Sequence, residues 1–134
     1  MSAVRCDERG AVALGGVLLL FVLGLLLGSG VDLAHGFVVR DRLNAIASDA
    51  ALAGASQLNV GAWRRGVLAL DPSLARAAAE GVLARDGGIA AAVSADSAEV
   101  SVRVSEPMPT VALRFVGIAE ITVTALAHAV PQTP

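Results

Sequence analysis

The chain has 134 residues, a formal net charge of −2, 55% hydrophobic and 16% charged residues, and one cysteine, Cys6. A single cysteine excludes a disulfide framework within the chain. All ten basic residues are Arg and they are dispersed, so the clustered charge of a nucleic-acid footprint is absent and no nucleic-acid partner is expected.

Ala, Gly, Val and Leu dominate and Tyr is missing, a composition that resembles GC-rich bacterial coding. Residues 1–9 form a short tail in which Arg5 and Arg9 balance Asp7 and Glu8. Cys6 lies before any apolar segment, the wrong side for lipoprotein processing, and is read as a free thiol. From Gly10 to Val31 there are 22 residues without a charge (GAVALGGVLLLFVLGLLLGSGV). As a helix that run is about 33 Å long, enough to cross the hydrocarbon core of a bilayer. Residues 10–31 are therefore expected to be a transmembrane helix in contact with lipid, bounded by Arg9 and Asp32. Arg9 abuts the run while Arg40 stands further from its other end, which places the short tail inside and the remainder outside. The rival is a cleaved secretory signal, with Leu18–Leu27 as apolar core and Gly28, Ser29 and Gly30 as the small residues at a cut. The uncharged run exceeds the usual length of such a core.

Residues 32–58 contain no proline, so the helix is expected to continue beyond the membrane. Leu43, Ile46, Ala50 and Ala53 recur at three- and four-residue spacing and predict a packed, small-residue face that needs a partner from the same chain or another subunit. Residues 59–134 then read as a small α+β domain. Gly61 and Gly66 break the chain around Trp63, the lone tryptophan, which is read as packed on the domain in preference to an interfacial anchor. Asp71-Pro72 opens a helix over residues 72–85, with Leu74, Ala78, Val82 and Leu83 inward and Gly87-Gly88 at its end. Period-two patterning predicts strands at 89–93 and 99–104, joined through Ser94–Ser97 as a hairpin and closed by Pro107 and Pro109. Thr110–Val116 reads as a short helix ended by Gly117, and residues 120–130 as a third strand with Ile121, Val123 and Ala125 on one side. The last residues, PQTP, read as a frayed end. About 75 residues is small for an independent core, so the sheet is expected to pack on the near part of the long helix or on a neighbour. The overall expectation is a single transmembrane helix continuing into an exterior helix, followed by one or two helices and a three-stranded antiparallel sheet.

Chemistry is sparse. Asp32 and His35 share a helical face but lack a third ligand, and His128 falls in a distant strand, so Asp32 is read as marking the water interface and His35 as an exposed helix residue, not as a metal site. No G-x-S-x-G turn is present, and the Gly pairs are too short to cradle phosphate. Asp49 is read as a charge on a solvated face. The residues call for no cofactor, no metal and no catalytic group.

Three segments carry a family resemblance: DERGAVAL (Asp7–Leu14), RDRLNAIASDAALAGA (Arg40–Ala55) behind Asp32, and the terminal ITVTALAHA (Ile121–Ala129). In this order they are similar to the TadE/TadG-like proteins of tight-adherence (Flp) pilus assembly. The resemblance implies a single-pass protein of the bacterial cytoplasmic membrane with an extracytoplasmic C-terminal domain. Its expected partners are other pilus or secretion-apparatus membrane proteins and further copies of itself, and its role is structural and not enzymatic. Prepilin-type processing in the family would cut between Gly10 and Ala11. The Glu that accompanies it would fall at position 15, which is Gly15, and there is no room for a large von Willebrand-type domain. The chain thus resembles a short, uncleaved TadG-like member. The reading from another class is an exported binding module, released by signal cleavage or tethered to the membrane.

Overall fold

The computed structural model describes residues 8–132, with side chains from Gly10 to Gln132. Cys6, Arg5 and Asp7, the side chain of Arg9, and the last two residues of the tail lie outside the described residues. A single helix, α1 (Glu8–Ala55), covers 48 residues. It is followed by a one-turn α2 (Val60–Trp63), α3 (Pro72–Leu83), β1 (Ala90–Ala95), β2 (Val100–Pro109), a 3-10 turn at Leu113–Val116, and β3 (Glu120–Ala129). The architecture is α+β, with α1 long and apolar enough to cross a membrane near its N-terminal end.

No proline interrupts α1, and at 1.5 Å per residue it extends about 72 Å. Its far half belongs to the domain. Leu43, Ala47, Ala51 and Ala55 form a buried row at four-residue spacing, with Ala50 and Gly54 beside it. The packed face is therefore turned slightly from the expected one: Leu43 and Ala50 lie in it, but Ile46 and Ala53 are half-buried at its margin. The reason is volume. At Gly54 an added Cβ would lie 2.9 Å from the Ala75 carbonyl oxygen and 3.1 Å from a Val100 methyl, so only small residues fit where α3 and the sheet approach closest.

Asp71 caps α3 by accepting from the amides of Ser73 and Leu74, with Pro72 in the first turn. Its buried face is Ala75 and Ala79, flanked by half-buried Ala78, Val82 and Leu83; Leu74, expected inward, is exposed. The helix stops at Leu83, two residues before the expected Arg85.

The sheet has the order β1-β2-β3, antiparallel throughout. Val100, Val102, Val104 and Met108 of β2 face the helices together with Ala125 and Ala129 of β3. Each fully buried valine contributes about 2 kcal/mol of transfer free energy. The opposite face carries Ser101, Arg103, Thr122, Thr124 and Leu126 and meets solvent, as one face of an antiparallel sheet can. β1 extends through Ser94 and Ala95, which were expected in the turn. Asp96 starts the connection, accepting from the amides of Ala98 and Glu99.

β2 is longer than its prolines predict. It pairs with β3 through Pro107↔Thr122 and Pro109↔Glu120, whereas β1 stops at Ser105. The two-residue spacing puts both prolines at the same phase of the ladder, where the missing N–H groups fall on the side that β1 leaves open. Trp63 is half-exposed on α2, beyond the end of α1 and about 35 Å of helix axis from Asp32. That distance removes it from any interface at the near end of the helix.

Candidate functional site

Asp32 stands at the end of the uncharged run, where a carboxylate is expected to mark contact with water. It is instead 5% exposed. One carboxylate oxygen accepts from the Val111 amide at 2.8 Å, and the other accepts from the amides of Ala112 at 2.8 Å and Leu113 at 3.1 Å. These amides lead into the 3-10 turn, whose N-cap residue Ala112 offers no side-chain cap. The first N–H groups of a helical turn have no partner within it, so a carboxylate from α1 supplies what the local sequence lacks.

The rest of the connection closes on itself. The Thr110 amide donates to the Ala119 carbonyl at 3.0 Å, and the Thr110 hydroxyl donates to the Ile118 carbonyl. Gly117 adopts φ 92°, a left-handed conformation that ends the turn, and Ile118 N–H returns to the Leu113 carbonyl at 3.0 Å. The amides of Val111 and Leu113 hold the Asp32 carboxyl below its usual range against the opposing effect of burial, with smaller help from the Ala112 amide and His35.

One turn before Asp32, the connection between β2 and β3 rests directly on the helix. A Cβ at Gly28 would stand 2.6 Å from the Ala112 methyl, so glycine is required for this approach. Neighbouring Ser29 directs its hydroxyl back to the Leu25 carbonyl at 2.8 Å and leaves no free donor. Two apolar hollows flank the contact. One, about 510 Å³, lies between Asp32, Gly36 and Phe37 of α1 and Met108, Leu113 and Ile121. The other, about 340 Å³, lies between Phe21, Gly24 and Leu25 and the side chains of Val111 and Phe115.

Of the residues singled out from sequence, Gly10 and Ala11 are exposed in the first turns of α1. Leu43 and Ala50 are in the domain core, and Ile46 and Ala53 edge it, so the expected interaction face is filled by the chain's own α3 and sheet. Asp49 is exposed, His35 is exposed on α1, and His128 is exposed on β3 opposite Ser101. Among the described residues no three His, Cys, Asp or Glu side chains converge on a metal position. The partnership of Asp32 with residues 111–113 was not legible. The available signal was the stretch VALRFVGI between Pro109 and Ala119, which carries more large apolar side chains than a surface turn requires.

No protein-family model matches this chain, and no curated protein and no solved structure matches it.

Proposed function

We propose that this protein is a membrane-anchored, non-enzymatic structural component of a tight-adherence pilus or related secretion apparatus, resembling a short TadG-like protein. In this reading α1 spans the bacterial cytoplasmic membrane once, with the small domain outside, and the protein acts by contacts with other subunits.

The observation that carries the anchor is the continuity of α1 from the uncharged run into the core, with Gly28 and Asp32 both engaged by the domain. A signal cut near Gly28–Gly30 would remove the residue on which Ala112 rests. The exported-module alternative therefore asks the domain to discard part of its own packing. The structural role is supported by the family-like order of DERGAVAL, RDRLNAIASDAALAGA and ITVTALAHA around that helix. Contacts with other subunits fall to the surfaces the chain leaves open: the exposed apolar sides of α1, the free edge of β1 and the solvent face of the sheet.

The intact mass of the protein recovered from cell membranes tests the anchor. A chain complete but for the initiator Met supports it. Loss of the first ten residues makes it a processed, pilin-like subunit, and loss through about Gly30 overturns the anchor. Co-isolation with pilus or secretion components tests the assembly role; recovery as a solitary monomer from cells that build the apparatus overturns it.

A further inference from the structure

The connection between β2 and β3, residues 110–119, presents its apolar side chains outward. Phe115 is 80% exposed, Val111 70%, Val116 56% and Ile118 46%. Ten residues with that surface would be costly in water. They do not, however, sit at the water-facing end of the domain: Val111, Ala112 and Phe115 lie beside Phe21, Gly24, Leu25 and Gly28, within the uncharged run of α1. Phe21 precedes Asp32 by about 16 Å of helix axis. On the other side of Asp32 the exposed surface of α1 carries Leu33, Phe37 and Val38, interrupted by exposed His35, and the next Asp, Glu or Arg along α1 is Arg40.

Irregular backbone is excluded from hydrocarbon because its N–H and C=O groups lose their water partners. Seven of the connection's amides find acceptors within the protein. The amides of Val111, Ala112 and Leu113 are taken by Asp32, and those of Thr110, Phe115, Gly117 and Ile118 by carbonyls of the connection itself. Arg114 is its only charged residue, and the length of that side chain lets the guanidinium reach phosphate level while the stem stays among chains. We infer that residues 110–119 are a second membrane element, a wedge seated in the outer leaflet against α1, with Val111, Phe115, Val116 and Ile118 in contact with phospholipid acyl chains. Asp32 is the positioning residue that makes its backbone compatible with that medium. The occupant is lipid, because the wedge's apolar surface is continuous with the helix surface that the anchor reading places in the bilayer. The inference rests on that reading.

Spin labels test it on the full chain in phosphatidylcholine/phosphatidylglycerol bilayers. On a Cys6→Ser background, labels are placed at Phe115→Cys, Leu20→Cys and Ala98→Cys, and their collision rates with oxygen and with a water-soluble nickel chelate are compared. Position 115 is expected to match position 20, favouring oxygen, with nickel accessibility at least about five-fold below that at position 98 in the hairpin turn. A label at 115 that meets nickel while position 20 meets oxygen overturns the wedge and leaves the anchor standing. A label at 115 hidden from both reagents puts a second copy on this surface, which also overturns it. Position 20 open to nickel would bring down the anchor and the wedge together. Val116→Cys repeats the measurement at a second exposed position, so a misfolded Phe115 variant cannot decide the result.

Discussion

The two halves of the domain are held to α1 in different ways. At the far half, around Gly54, Val100 and Ala75, the chain makes its own dry interior from small side chains in close contact. At the near half, around Asp32, one carboxylate gathers three amides, and the large apolar side chains point away from the contact. The far half resembles a soluble core, whose stability depends on shape. The near half is ordered by a polar clasp and leaves its apolar surface for the medium around it. The contrast teaches that a short irregular connection can turn its large apolar side chains outward when a carboxylate from a neighbouring helix takes up its first amides.

The strongest way to break the contrast is at the far half. Gly54→Val should destabilise the domain by about 3 kcal/mol: the helix-propensity gain over Gly is below 1 kcal/mol, whereas the Ala75 carbonyl and the Val100 methyls cannot yield without moving α3 or β2. Denaturant unfolding of the full chain in detergent, followed at Trp63, measures it. The near half should give a different signature. Asp32→Asn preserves size but replaces an acceptor with a donor aimed at amides, so hydrogen exchange at residues 111–113 should accelerate by about ten-fold or more while amides of β2 at Val102 and Val104 remain protected. Equal acceleration at both places would show that the clasp and the core form one cooperative unit.

Acid sharpens the same distinction through linkage. The carboxyls of Asp32, Asp71 and Asp96 are all lowered by hydrogen bonds, from backbone amides and, at Asp71, foremost from the Ser73 hydroxyl. A carboxyl whose folded pKa is depressed contributes stability that is fully present above its unfolded pKa and is lost as pH falls through the folded one. Stability should hold at neutral pH and decline from the ordinary carboxylate range downward. In Asp32→Asn that decline should be shallower, because one of the three groups no longer titrates. Smallest of all is Arg42→Ala. Arg42 approaches Asp86 at 3.5 Å and Glu106 at 3.8 Å with more than half of its side chain in solvent, so its loss should cost below about 1 kcal/mol, and less in high salt.

Much of the far half was legible in the sequence because its signals are local. The Asp71-Pro72 cap, the alternation of Val100, Val102 and Val104, and the proline-free passage from the uncharged run to Ala55 each specify an element from neighbouring residues. Errors came where a local rule met a distant partner. Pro107 and Pro109 read as terminators, yet they continue β2, since whether a strand tolerates proline depends on which of its edges is occupied. Leu74 read as inward, yet Ala75 and Ala79 take the buried positions, because the spacing between α3 and α1 is set by Gly54.

By itself, then, the sequence determined the length of an uncharged helix, its continuation past Asp32, the cap of α3 and the alternating faces of β2 and β3. All of these follow from the fixed periods of helix and strand and from side chains that bond within a few residues. The tertiary structure alone decided that Asp32 faces Val111, Ala112 and Leu113, 79 to 81 residues away, and not water. A carboxylate has no preference among amides by sequence distance; it binds those that the packing of β2 and β3 on α1 delivers to it, and that packing exists only once the whole chain has folded.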